Sequence, residues 1–202
     1  MEKIVIASNN AGKLREFNAL FTQFGINAIT QGELGITEAE EPYATFVENA
    51  LTKARHASRL SKLPALADDS GICVAALGGA PGVWSARYAG EPKSDTRNNE
   101  KLLADMQGVM KRDAFFYCVL VFVRAADDPQ PIIADGVWLG KITHAPCGTG
   151  GFGYNPVFNI PSLNLTAAEI SDAQKNALSH RAQALRVLVE KLAAFGLVAN
   201  RG

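Results

Sequence analysis

The stretch KIVIASNNAGKLREFNALFTQF, residues 3–24, decides the fold class. Residues 3–7 lead into the apolar run 4–7 and are typical of a buried strand, and residues 8–12 form a polar turn. Apolar side chains then recur at helical spacing: Leu14, Phe17, Leu20, Phe21 and Phe24. The stretch therefore predicts a strand, a polar turn and a helix, which together are the repeating unit of an α/β protein.

A second helix and a second strand continue this alternation. Apolar spacing predicts a helix from about Thr45 to Leu60, which Pro64 ends, and Ala65 to Ala67 are typical of a buried strand. The predicted apolar face of this helix comprises Phe46, Val47, Ala50, Leu51, Ala54 and Ala57, and the polar face comprises Glu48, Lys53, Arg55 and His56.

The second half of the chain predicts long strands and a final helix. The apolar segments 115–123 and 131–139 flank a turn at 127–129 and are predicted to be two strands, with a hairpin as one way to join them. Two pairs at capping-box spacing precede the helix: Thr166 with Glu169, and Ser171 with Gln174. Its apolar face is Leu185, Leu188, Val189 and Leu192. These elements predict an α/β fold with a mixed central β-sheet flanked by helices.

The composition is that of an ordinary globular protein. The 202 residues are 48% hydrophobic and 20% charged, which excludes intrinsic disorder. Since 20 Lys and Arg balance 20 Asp and Glu, no positive field of the whole protein would attract nucleic acid. The longest apolar run, residues 115–123, is far shorter than the about 20 residues that span a bilayer. We therefore expect neither a nucleic-acid partner nor a membrane partner.

The cysteines and the first residues predict a cytoplasmic protein. Cys73, Cys118 and Cys147 lie far apart and form no C-x-x-C pair, which argues against a disulfide framework and against a zinc site. The apolar run at residues 4–7 is too short for a signal peptide.

The turn SNNAGK, residues 8–13, has the chemistry of a phosphate site. A turn that leads into a helix presents backbone N–H groups to an anion, and Lys13 adds an ammonium group. The Walker A pattern is absent. An ordinary strand-to-helix turn with Lys13 in solvent is the alternative.

Two acidic clusters suggest a metal site. Glu38, Glu40, Glu41 and Glu48 precede or open the second helix, where the helix dipole alone favours acidic residues. Asp68 and Asp69 are expected just past a buried strand, where carboxylates are costly unless they bind a metal, pair or accept hydrogen bonds. Because Mg²⁺ takes one or two protein carboxylates together with substrate phosphates, one Asp and one Glu would suffice. Turn formation by Asp68 and Asp69 is the alternative.

The segment GTGGFGYNPVF, residues 148–158, contains the spacing G-x-G-x-x-G. A dinucleotide fold would require this pattern to open a helix after the first strand, whereas here it leads late in the chain into Asn155 and Pro156. The glycines are better explained as allowing the backbone to approach a planar ligand that stacks on Phe152 or Tyr154. A glycine-rich hairpin with core aromatics is the alternative.

Lys175, His180 and Arg181 lie on or before the last helix and would meet around one ligand if that helix starts near His180.

Five stretches carry a resemblance to a known family. They are SNNAGKLREF at 8–17, TFVENALTKARHAS at 45–58, ALADDSG at 65–71 with its continuation LGGAPGVWSARYAG, GTGGFGYNPVF at 148–158, and SHRAQAL at 179–185. In this order they resemble the inosine triphosphate pyrophosphatase family, also called Ham1-like, and particularly its bacterial branch.

The resemblance implies Mg²⁺-dependent hydrolysis of dITP, ITP and XTP to the monophosphate and pyrophosphate by a homodimer that cleans the nucleotide pool. It also implies a single domain over residues 1–202, with two lobes and the nucleotide site in the cleft. Asp69 would activate water and bind the metal, together with Glu40 or Glu41, and the choice between these two is open. The substrate-binding residues would be Ser8, Asn9, Asn10, Ala11, Gly12, Lys13, Ser70, Phe152, Gly153, Tyr154, Asn155, Lys175, His180 and Arg181.

One residue departs from the family pattern. The family usually has Asp where this chain has Asn155, so the shape is kept, a charge is lost and an amide donor is gained. If this residue contacts the base, the substrate preference would change. Three other functions remain as alternatives: a Maf-type pyrophosphatase, a nucleotide-binding regulatory protein without catalysis and an NAD oxidoreductase.

Overall fold

The computed structural model describes residues 3–198, apart from the side chains of Leu20, Gln23 and Phe24. Within this part of the chain there are seven strands and five α-helices. The strands are β1 (Ile4–Ile6), β2 (Ala28–Thr30), β3 (Ala65–Val74), β4 (Asp113–Val123), β5 (Ile132–Ile142), β6 (Phe158–Ile160) and β7 (Leu165–Thr166). The helices are α1 (Ala11–Phe24), α2 (Phe46–Ser61), α3 (Asp95–Asp105), α4 (Asp172–Leu178) and α5 (His180–Ala194).

The strands form one mixed sheet in the order β2-β1-β3-β4-β5-β6-β7. Strand β1 is parallel to both of its neighbours, with Val5 opposite Ile29 on β2 and Ala65 on β3. Strands β5, β6 and β7 pair antiparallel. Parallel neighbours require a crossover, and α1 is the crossover between β1 and β2. The predicted mixed sheet flanked by helices is confirmed.

The chain divides into two compact units, each with its own hydrophobic core. The first unit comprises Met1–Asp69, Cys118–Gly136 and Arg181–Gly202, and its core includes Phe17, Phe122 and Leu185. The second comprises Ser70–Tyr117 and Val137–His180, and its core includes Leu102 and Phe158. The single two-lobed domain over residues 1–202 stays a prediction, as does the place of the nucleotide in a cleft.

Most predicted elements are present. Helix α1 follows β1, and its predicted apolar residues Phe17 and Phe21 are buried; Leu20 and Phe24 lie outside the described side chains. The two long strands β4 and β5 are neighbours in the sheet. No helix among the described residues is both long enough and apolar enough to cross a membrane.

Three local predictions were wrong. Asp68 and Asp69 do not follow the strand, because β3 continues through them to Val74. Lys53 was expected on the polar face of α2 but is buried, because two carboxylates neutralise its ammonium group. Thr166 does not cap a helix; it ends β7, and its N–H donates to Glu169 in a turn. The Ser171–Gln174 capping box is confirmed at the start of α4.

Candidate active site

The turn between β1 and α1 is built around Asn10, the N-cap of α1. Its Oδ1 accepts a hydrogen bond from the Lys13 N–H at 3.0 Å, and the Asn10 N–H donates to Ser8 Oγ at 3.2 Å. Unlike α2 and α4, α1 has no acidic side chain in its first turn. The positive end of the α1 dipole is therefore not offset by a local carboxylate, which favours an anion there. Asn9 and Ala11 are exposed, and Gly12 is buried.

On one side of β3, Asp68 is held by two cations. Its Oδ2 lies 2.9 Å from Lys13 Nζ and 3.2 Å from Arg181 Nη2, and the Arg181 guanidinium also pairs with Glu16. Asp68 and Arg181 are each 2% exposed. Burial alone would raise the pKa of the Asp68 carboxyl, but Lys13, Arg181 and Lys53 together hold it far below its usual range. Asp68 is therefore ionised at neutral pH and anchors Lys13 and Arg181.

The side chain of Asp69 has a different environment, because successive strand residues point to opposite faces. Its Oδ1 lies 3.3 Å from Lys53 Nζ, which also lies 2.7 Å from Glu41 Oε1. Its Oδ2 accepts a hydrogen bond from Asn49 Nδ2 at 3.4 Å. Burial raises the pKa of Asp69, to which Glu41 and Asp68 add, although Lys53 and Lys13 oppose the change. A carboxylate with a raised pKa is better suited than Asp68 to exchange a proton.

The acidic residues before α2 differ in their surroundings. Glu38 and Glu40 are exposed, whereas Glu41 is partly buried and pairs with Lys53. Glu48 binds the hydroxyl of the N-cap residue Thr45, so its role is to cap α2.

The two carboxylates that share Lys53 fit a divalent cation. Glu41 Oε1 and Asp69 Oδ1 converge on the Lys53 ammonium group, so two carboxylates share one cation. Among residues 3–198, no group of three or more His, Cys, Asp or Glu is placed to hold a metal. Since Mg²⁺ keeps several waters and takes few protein ligands, a set of two carboxylates suits it.

In the second unit, the glycine-rich segment ends in a 3₁₀ turn at Asn155–Val157 and then β6, so it opens no α-helix. Lys175 is buried, and its Nζ lies 4.7 Å above the ring of Phe152. Asn155 is 4% exposed, and its Nδ2 has no hydrogen-bond partner among the described residues. These groups offer a planar face and two donors.

Tyr154 is part of the core of the second unit. Its ring is buried there, and its hydroxyl donates to the Ser85 carbonyl at 2.8 Å. Burial raises the pKa of Tyr154 well above its usual range. Of the two aromatic residues predicted to stack on a planar ligand, Phe152 therefore remains.

His180 is the first residue of α5, as the sequence suggested. In the second unit its ring stacks on Phe116, with the ring centroids 4.9 Å apart and the planes 9° apart, and next to Trp138 at 6.5 Å. Ser70, which follows Asp69, is partly buried.

Asn49 and Lys53 were missed as site residues. They lie four residues apart on α2, so they share one helix face with Ala50 and Ala57, which are also buried. Two polar residues on an alanine-lined stripe were the signal in the sequence that would have found them.

Comparisons with known proteins agree on the family. The profile of the Ham1 family matches residues 4–191. The dITP/XTP pyrophosphatase of Ralstonia nicotianae is 65% identical over 198 residues, which cover 96% of this chain and 98% of the relative. That of Chromobacterium violaceum is 59% identical, with the same coverage.

Solved structures give the same result. A HAM1 protein from Coxiella burnetii matches with a TM-score of 0.89 at 46% identity, and the Ham1 protein of Staphylococcus aureus with 0.85 at 39%. Each match covers 96% of this chain and 100% of the other. Because the family profile covers residues 4–191 and solved Ham1 structures share the fold, this chain belongs to the Ham1 family.

Proposed function

We propose that this chain hydrolyses the deaminated purine nucleotides dITP, ITP and XTP to the monophosphate and pyrophosphate. The observation that carries the proposal is the buried Asp69, which shares Lys53 with Glu41 and has a raised pKa. The two relatives reported above are dITP/XTP pyrophosphatases, which supports the substrate class.

In this proposal the turn of residues 8–13 binds the triphosphate. A triphosphate carries up to about four negative charges, and the N-terminus of α1 and Lys13 both favour anions. Lys13 also pairs with Asp68, which fixes its ammonium group beside the turn. Arg181 pairs with the same carboxylate, so its proposed contact with substrate depends on the site that Asp68 organises.

Asp69 is the proposed general base and orients the attacking water. Its neighbour Lys53 favours the ionised form and so opposes the effect of burial on the pKa of Asp69, and the Asn49 amide donates to one of its oxygens. Mg²⁺ bound by Asp69 and Glu41 would polarise the phosphates and offset the charge of the leaving pyrophosphate. Phosphoryl transfer depends mainly on positioning and electrostatics, so these few groups are sufficient.

The proposed contacts of the base are Phe152, Asn155, Lys175 and His180. Gly153 and the backbone of Tyr154, which lie between Phe152 and Asn155 in the sequence, and Ser70, which follows Asp69, are further proposed substrate contacts. Hypoxanthine and xanthine have a 6-oxo acceptor where adenine has an amino donor. Donors such as Lys175 and the Asn155 amide would therefore favour the oxo bases, and adenine would leave a buried donor facing another donor.

We also propose a homodimer that acts in the cytoplasm and has neither a nucleic-acid nor a membrane partner. All three cysteines are free, which fits a reducing compartment. Because the numbers of acidic and basic residues are equal, the protein has no net positive charge that would attract a polyanion such as nucleic acid.

Phosphorus NMR of the reaction products tests the proposal. The pure protein is mixed separately with dITP, XTP, GTP and ATP, with and without Mg²⁺. Pyrophosphate and monophosphate formed from dITP and XTP, and only with the metal, are the expected result. Orthophosphate, or no product from any of the four, would overturn the proposal.

A further inference from the structure

One helix holds both backbone groups of Gly153. The Gly153 N–H donates to Asp95 Oδ2 at 2.6 Å, and its carbonyl accepts a hydrogen bond from Asn99 Nδ2 at 2.9 Å. Asp95 and Asn99 are four residues apart in α3 and so lie on the same face of that helix. We call these two hydrogen bonds the Gly153 clamp.

Among the described residues, the bond to Gly153 is the one hydrogen bond of the Asn99 side chain. Asn99 is 8% exposed, and its Oδ1 has no hydrogen-bond partner in the described part of the chain. Asn is a poor helix former, and a buried amide with an unused oxygen destabilises a fold. An apolar side chain beside Leu102 would suit α3 better, so the bond to Gly153 accounts for the amide.

The Gly153 clamp holds the backbone next to Tyr154, which is itself held in place by burial and by a hydrogen bond. Gly153 has φ = +63°, a conformation that favours glycine. The next residue, Tyr154, is buried and bonded to the Ser85 carbonyl. The preceding residue is Phe152, whose ring faces Lys175. Holding the peptides on both sides of Gly153 therefore fixes the backbone from which the Phe152 ring projects.

We infer that Asp95 and Asn99 are positioning residues for the purine: through Gly153 they hold Phe152 where the base stacks. They touch no part of the substrate. The inference rests on the proposed function, in which Phe152 contacts the base and the turn of residues 8–13 contacts the phosphates.

Steady-state kinetics of Asp95→Ala and Asn99→Ala with dITP at saturating Mg²⁺ test this role. Loss of a hydrogen bond of this kind predicts a KM about tenfold higher, with kcat nearly unchanged, because only base binding is weakened. Inhibition by inorganic tripolyphosphate, which has no base, should be the same as in the wild type. Asp95→Asn keeps an acceptor oxygen for the Gly153 N–H, so its KM for dITP should lie close to that of the wild type.

Asp105→Ala is the matched control. Asp105 lies at the other end of α3 and binds Tyr88 and Lys101, so its loss should affect α3 without changing the KM for dITP. An unchanged KM in Asp95→Ala and Asn99→Ala would overturn the inference, as would an equal loss of tripolyphosphate inhibition, since that would indicate general damage. A wild-type protein that hydrolyses no dITP would overturn the proposed function, and the inference with it.

Discussion

The two sides of β3 carry the same residue type and differ in almost every other respect. Asp68 pairs with Lys13 and Arg181, and its pKa lies far below the usual range. Asp69 shares one lysine with Glu41, and its pKa is raised. Adjacent aspartates thus have opposite electrostatics, because each is defined by the cations that reach its own side of the strand. The comparison suggests that Asp68 stabilises the fold and Asp69 performs the chemistry.

Removing the charge of Asp68 should have the largest effect on stability. Asp68→Asn leaves the buried Arg181 and Lys13 without their shared carboxylate, which predicts a loss of about 3–5 kcal/mol in the free energy of unfolding at pH 7. Urea unfolding followed by circular dichroism measures it. The control is Asp113→Asn, which removes an exposed pair with Lys141 and should change stability by less than about 1 kcal/mol. Equal effects of the two changes would contradict the structural role of Asp68.

Substitutions of Glu41 and Glu40 test which glutamate binds the metal together with Asp69. Glu41 pairs with Lys53, which also pairs with Asp69, whereas Glu40 is exposed. Glu41→Gln should raise the Mg²⁺ concentration for half-maximal dITP hydrolysis at least about tenfold, since one ligand of the metal is weakened. Glu40→Gln, a surface change, should stay within about twofold of the wild type. The reverse order would assign the metal to Glu40.

The two aspartates should also give opposite dependences of stability on pH. A lowered pKa in the folded state means that the contribution of Asp68 is present above the ordinary carboxyl pKa of about 4 and is lost as the pH falls below it. A raised pKa means that the contribution of Asp69 is present below that value and is lost as the pH rises through the folded-state pKa.

Unfolding midpoints in urea and EDTA between about pH 3 and 7 test this difference. The difference in unfolding midpoint between the wild type and Asp68→Asn should become smaller as the pH falls. The midpoint of Asp69→Asn should rise relative to that of the wild type as the pH approaches neutral. Parallel curves for the two variants would show that the two carboxylates are electrostatically alike.

The sequence predicted the elements whose signals are local. β1 and α1 follow from an apolar run and from helical spacing, and the α4 cap follows from Ser171 and Gln174. The length of β3 was not predictable in this way. A charged pair normally ends a buried strand, and Asp68 is tolerated there because Arg181 comes from 113 positions further along the chain.

For the candidate site, too, the sequence predicted what depends on local motifs and did not predict what depends on contacts with distant residues. Sequence motifs located Asp69, Lys13 and the glycine-rich segment, but they left Glu40 and Glu41 equivalent. The difference between these glutamates depends on which one reaches Lys53, a contact between residues twelve positions apart, one in the segment before α2 and the other on α2. Helical spacing puts Lys53 on the same face of α2 as Ala50 and Ala57, but the carboxylates that pair with its buried ammonium group lie outside that helix.

The most direct test of the division between the two sides is Asp69→Asn, with kcat for dITP at saturating Mg²⁺ and the urea midpoint measured on the same preparation. Loss of a general base predicts a kcat lower by about 10³-fold, with a midpoint equal to or above that of the wild type. Near-normal turnover would remove Asp69 from the mechanism. A loss of turnover that matches a loss of folded protein would show that Asp69, like Asp68, is structural.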